Sequence, residues 1–216
     1  MQKYMSMAGP MIDGCGKLLA IFFLTLAFSL PLGLLVAFGR MSKHKIISTP
    51  IRIYQLVMRG TPLILQLMVV FYAPSFLFKI RPSRFTACIT AFVINYAAYF
   101  AEILRAGIEG IPQGQHEAAK ALGYTTWQKY TLIIIPQVTK RVLPPMGNEF
   151  MTLLKDTALS TTIGIAELFR ATSNAAIRMV SVAPYLAAGL IYFALNSIVE
   201  KAFQIAENKL GYYKIL

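Results

Sequence analysis

The sequence predicts an all-α membrane protein, a bundle of about five transmembrane helices with its N-terminus outside and its C-terminus inside. Three observations predict it. Hydrophobic residues make up 56% of the chain and charged ones 14%, a balance too apolar for a soluble domain. The apolar residues gather in runs of about 20, the length that crosses a hydrocarbon core of about 30 Å. The lysines and arginines stand mainly in bands between those runs, as they do where basic loops stay on the cytoplasmic side. A length of 216 residues reads as one domain, 1–216.

The elements follow in order. Residues 14–38 form the first span, too long for the apolar core of a signal peptide and therefore kept. Residues 51–78 are overlong for one span, so the helix is tilted or broken near Pro62 or Pro74. Residues 85–106 make the third span. Residues 138–163 hold Pro144, Pro145, Asn148, Glu149, Lys155 and Asp156. Such a segment escapes a hydropathy scan, yet the topology needs a fourth span there. Its polar residues recur periodically and so must face the bundle interior. Residues 164–183 lie outside and carry a short helix near 166–177, and residues 184–206 form the last span.

Charge placement orients the bundle. Arg40, Lys43, Lys45 and Arg52, then Lys120, Lys129, Lys140 and Arg141, then Lys201, Lys209 and Lys214 fall inside. Lys3, Lys17, Lys79, Arg81, Arg84, Arg170 and Arg178 fall outside, and the 79–84 loop works against the bias. The net charge of +12 does not indicate nucleic acid, because no single basic patch with interleaved aromatics forms. Cys15 and Cys88 lack any metal-binding spacing and read as two unpaired buried thiols. His44 and His116 fall in loops without metal partners, so no metal and no cofactor is expected.

Between the third and fourth spans, residues 110–136 build a polar cytoplasmic loop. Pro112 and Gly114 break the preceding helix. Residues 115–122 then form a helix of about 12 Å carrying Glu117, and Gly123 suits a left-handed C-terminal turn. Ala118, Ala119 and Ala121 let a partner approach the backbone. A second short helix over 124–130 offers Trp127 and Tyr130 as contact residues, and the helical stretch stops at Pro136. On spacing alone the loop serves equally as a plain link between spans, with Glu117 complementing a helix N-terminus.

A polar track runs inside the bilayer. Asn95, Tyr99 and Glu102 share a face of the third span, and Glu149, Thr152, Asp156 and Ser160 share a face of the fourth. Gln55, Arg59, Leu63 and Gln66 share one on the second. Asn95 lies about 15 Å from the outer end of its span and Glu149 about 16 Å from the inner end of its own. Both sit near the midplane, where transporter sites concentrate. Glu149 is the first candidate: a carboxylate at that depth is costly and functional by default, and it suits an α-ammonium group. Asn95 and Gln66 can bond polar substrate atoms, and Tyr99 can close one wall. The structural alternatives are an ion pair of Glu149 with Lys155 or Arg59, interhelical hydrogen bonds for Asn95 and Gln66, and packing for Tyr99. Lys155, Asp156 and Arg59 are assigned to a gate or to helix pairing, and Glu102 with Arg105 to a salt bridge.

Glu117-Ala118-Ala119, Gly123, Ile133 and Pro136 resemble the EAA loop of ABC importer permeases, with Ile135 where leucine is more usual. Arg59-Gly60-Thr61-Pro62-Leu63, Asn148-Glu149-Phe150 and Leu154-Lys155-Asp156-Thr157-Ala158-Leu159 are similar to the polar amino acid uptake branch of that family. The resemblance covers nearly the whole chain. It implies the type I permease fold, a multi-pass location in the bacterial inner membrane, and a coupling helix at Glu117, Ala118, Ala119 and Gly123. It also implies import of a polar or charged amino acid with a second permease subunit, two cytosolic ATPases and an extracellular or periplasmic amino acid binding protein. Residues matching Asn95 and Glu149 line the substrate pocket in similar permeases.

The chain itself carries no ATPase. Gly16-Lys17, its Gly-Lys pair, lacks the glycine five residues earlier and is followed by Leu18 instead of Ser/Thr. Nucleophile elbows and HExxH motifs are missing as well, so no enzyme is expected. Two rival readings are an ion-gradient-driven amino acid transporter, which calls for broken helices in an internal repeat, and a non-transporting scaffold that docks a cytosolic partner.

Overall fold

The structure is a computed structural model that describes residues 2–210, with side chains described from residue 8 onward. Lys3 and Lys214, both counted in the charge bias, lie outside the described side chains.

Helices dominate. α1 spans Gln2–Arg40, and its apolar part, Ala8–Arg40, is long enough to cross a membrane. α2 (Lys45–Gly60) and α3 (Leu63–Phe78) follow. Arg84–Glu109 forms α4, opened by Ser83, whose hydroxyl accepts from the Thr86 amide at 3.0 Å. α5 is Gln113–Ala121, α6 a single turn at Thr126–Gln128, α7 Ile135–Asp156, α8 Leu168–Met179 and α9 Ala183–Lys209. A π-helical segment, Lys129–Ile134, joins α6 to α7, and a 3₁₀ segment, Thr157–Ile163, prolongs α7.

Three of these helices, α1, α4 and α9, meet the length and hydropathy of a span. The expected break in the second span occurs at Thr61-Pro62, where α2 and α3 meet with a bend of 110°. Pro62 directs Thr61 into the extended region, with ψ of 148°. Pro74 leaves α3 unbroken. The polar segment 138–163 is helical throughout, as its periodicity requires, and packs against α4 and α9.

One boundary differs from expectation. Pro136 does not stop the helix before it. Its missing N–H falls where the turns change from π to α register, so the chain stays helical from Thr126 to Ile163.

The core forms where α1 lies along α4 and α8 crosses α1. Leu18 and Ile21 of α1, Phe92, Tyr96 and Phe100 of α4, Leu153 and Leu154 of α7, and Leu168 of α8 are fully buried there. The α1–α8 crossing is close because position 14 is glycine: a Cβ there would lie 2.8 Å from the Leu168 amide nitrogen. Backbone cannot yield as a side-chain tip can. Gly14→Val is therefore expected to lower stability by about 1–3 kcal/mol, read as earlier thermal unfolding of the detergent-solubilised chain. Gly16→Ala, which meets no atom within 4 Å, is the matched control and should not lower it.

Candidate functional site

A cavity of about 430 Å³ opens where the α2–α3 break faces α4 and α7. Thr61 and Pro62 of the break line one side, Asn95, Tyr96 and Tyr99 of α4 a second, and Glu149, Thr152 and Asp156 of α7 a third. Three of the four expected substrate residues, Asn95, Tyr99 and Glu149, thus share one cavity.

The fourth, Gln66, stands behind it. Breaking a helix leaves backbone carbonyls without donors, and apolar surroundings make such orphans costly. The Gln66 amide nitrogen donates to the carbonyl oxygens of Met58 (2.9 Å) and Thr61 (3.1 Å) and to Thr61 Oγ1 (2.8 Å). Those acceptors fix its orientation, so its Oε1 receives a hydrogen bond from Asn95 Nδ2 at 2.9 Å. Asn95 Nδ2 also donates to the Met58 carbonyl at 3.1 Å. Asn95 is 4% exposed, with its amide hydrogens engaged by the break and its Oδ1 left to accept. The interhelical hydrogen bonds weighed as an alternative for Asn95 and Gln66 are therefore present.

Glu149 makes no hydrogen bond or close ion pair among the described residues. Neither Lys155 nor Arg59 neutralises it within 4 Å. Lys155 is exposed. Arg59 instead lies 3.7 Å from Glu102 and stacks over the Tyr99 ring at 5.6 Å from its centroid. Asp156 accepts a 2.8 Å hydrogen bond from the buried Tyr96 hydroxyl, tying α7 to α4. Glu102 and Arg105 form the expected salt bridge, at 2.6 Å.

The loop is built as a rigid step. α5 ends in a Schellman turn: Tyr124 N–H bonds Ala119 O, Gly123 N–H bonds Lys120 O, and Gly123 has φ of 74°. Thr125 and Gln128 close a capping box at α6. Gln137 Nε2 donates to Gln115 Oε1 at 3.2 Å, and Arg141 bonds the Gly110 carbonyl, so α7 holds the start of the loop at two points. Glu117 and Ala118 are exposed, whereas Ala119 is fully buried under the helix. Leu122 (71% exposed) and Trp127 (77%) extend the exposed surface.

Glu167 escaped the sequence reading, which placed a helix near it without marking the acid. It is fully buried and caps α8, accepting from the amides of Phe169 (2.7 Å) and Arg170 (2.9 Å), with Tyr192 OH donating at 3.3 Å. Burial pushes its carboxyl above the usual range, and the two amides pull it back. The signal available was an acid directly before a Leu-Phe-Arg helix start.

A helical membrane bundle with a polar cavity at a broken helix has the architecture of a transport path. The comparisons agree. The family described as "Binding-protein-dependent transport system inner membrane component" matches residues 29–212. The L-cystine transport system permease protein TcyB of Bacillus subtilis (strain 168) is 34% identical over 193 residues, covering 88% of this chain and 82% of that protein. The glutamine transport system permease protein GlnP of Escherichia coli (strain K12) is 38% identical over 161 residues, 74% of each chain. A crystal structure of an amino acid ABC transporter with histidines superposes with a TM-score of 0.85 at 35% identity, covering 97% of this chain and 96% of that one. The inward-facing methionine transporter MetNI, at 16% identity and a TM-score of 0.74, shares the fold. The chain belongs to the family of binding-protein-dependent inner membrane transport components, and it is an ABC importer permease subunit.

Gln66→Leu removes the side-chain donor of the Thr61 carbonyl and one of the two donors of the Met58 carbonyl. Unfolding of that variant is expected to be easier by about 1–3 kcal/mol, with Gln66→Glu, which lacks the amide donors, no better. A wild-type melting curve for both would show that the break does not depend on this amide.

Proposed function

We propose that the chain is one transmembrane unit forming half of the path for a polar or charged amino acid, oriented N-out and C-in. The observation that carries this reading is Glu149: a carboxylate facing the cavity among polar groups with no cation within 4 Å. A substrate α-ammonium supplies that missing charge, Asn95 Oδ1 accepts a second polar contact, and Tyr99 bounds the site. Gln66 acts one step back, holding Asn95 and the break in place. Asp156 with Tyr96 pairs α4 to α7, Arg59 with Tyr99 closes the side toward α5, and Lys155 stands at the opposite end as a gate residue. The relatives named for cystine and glutamine support the cargo class.

A second permease subunit completes the path, an extracellular or periplasmic binding protein delivers substrate, and two cytosolic ATPases drive it. The exposed surface of Glu117, Ala118, Leu122 and Trp127 receives an ATPase. Closure of the ATPases on nucleotide draws the two loops together and opens the bundles outward, and hydrolysis reverses the tilt. Uptake by the reconstituted assembly should be blocked by vanadate, and competition across amino acids identifies the cargo.

Glu149→Gln is expected to weaken substrate binding within the membrane by about 10- to 100-fold, the worth of a hydrogen bond to a charged group. The binding protein's own affinity stays intact. Unchanged transport kinetics would move Glu149 to a structural role. Ala118→Trp should leave the protein inserted and assembled but abolish transport coupled to ATP hydrolysis. Normal uptake by that variant would remove the loop from the drive.

A further inference from the structure

A second cavity, of about 300 Å³, lies between α1, α2 and α4 toward the end of the bundle that bears α5. Arg40 closes α1, Arg52 and Arg59 project from α2, and Arg105 comes from α4. Glu102 is the one carboxylate in the lining. It bonds Arg105 at 2.6 Å and lies 3.7 Å from Arg59. Glu109 also pairs with Arg105 but stands outside the lining. Arg40 and Arg52 have no hydrogen bond or close ion pair among the described residues. Four guanidiniums therefore face one carboxylate, and even with Glu109 counted the positive charge is in excess.

From this cavity we infer a binding site for the headgroup of an anionic phospholipid, seated in the leaflet on the α5 side. Guanidinium forks match phosphate oxygens in pairs, and basic pockets between membrane helices take lipid headgroups. The neighbouring surface suits the rest of such a molecule. Leu56 lines the same cavity yet is 64% exposed, and Ile53, one turn earlier on α2, is 56% exposed. An acyl chain laid along them covers apolar surface while its phosphate meets Arg40 and Arg52. The site is separate from the Glu149 cavity: Arg59, stacked on Tyr99, stands between the two. The inference goes beyond the transport reading and requires only that the chain sits in a membrane.

Native mass spectrometry of the full chain in mixed micelles with equal phosphatidylglycerol and phosphatidylcholine tests it. Wild type is expected to retain phosphatidylglycerol preferentially. Arg52→Gln should lower that retention about 5-fold and the Arg40→Gln/Arg52→Gln double variant on the order of 25-fold, near 1 kcal/mol for each arginine. Arg52→Lys should keep most of it, and Arg178→Gln, exposed on α8, should keep all of it. Glu102→Gln should raise retention, a gain that misfolding cannot produce. No preference between the two lipids would overturn the assignment, as would full retention by the double variant. Inorganic phosphate bound by the chain without any lipid preference would make this a free-anion site and overturn it too. Displacement of the lipid by an amino acid would instead join the cavity to the transport path, against the inference.

Discussion

The break between α2 and α3 is the constraint on which the central architecture depends. A bend of 110° strips two carbonyls of their helical donors at a place where water is scarce, and a bilayer tolerates this only if protein groups replace them. Gln66 from α3 and Asn95 from α4 do so. The same two side chains are bonded to each other. The cavity thus lies directly beside a satisfied break, with Thr61 and Asn95 shared by both.

That arrangement sorts the polar residues by task. Groups whose hydrogen bonds are complete, such as Gln66 and Tyr96, hold helices at fixed spacing. Groups left incomplete, such as the Glu149 carboxylate and Asn95 Oδ1, face the opening. Arg59 makes its close contacts within the partition and not with Glu149, because Glu102 and the Tyr99 ring hold its guanidinium. Two cavities of opposite character, one with an acid that has no cation within 4 Å and one with excess arginine, therefore stand back to back.

Much of this was legible in the sequence. Length and hydropathy marked α1, α4 and α9, and period-3.6 polar faces found the interior surface of α7 where hydropathy was silent. Pro62 and Pro74 marked two places where the second span could break, of which Pro62 is the one used, and Gly123 marked a left-handed turn, because such residues restrict or permit specific backbone angles. What escaped notice depended on tertiary distance. Gln66 shares a helical face with Arg59 only if the helix is continuous, and the bend turns it behind Asn95 instead. Ala119 belongs to a small-residue run, but which alanine points inward is decided by the packing of α5 on the segment that follows. Pro136 looked like a stop because the π register that accommodates it has no signature in residue type.

That π segment has a mechanical meaning. From Thr126 to Ile163 the chain is one uninterrupted shaft, tied by Gln137 to α5 and by Arg141 to the end of α4, and carrying Glu149 further along. Each residue of an α-helix advances the azimuth by about 100°, and a π turn stores an altered phase. A slip of one residue between the two registers would act as a crank, swinging Glu149 by about 100° around the axis for an advance of only about 1.5 Å.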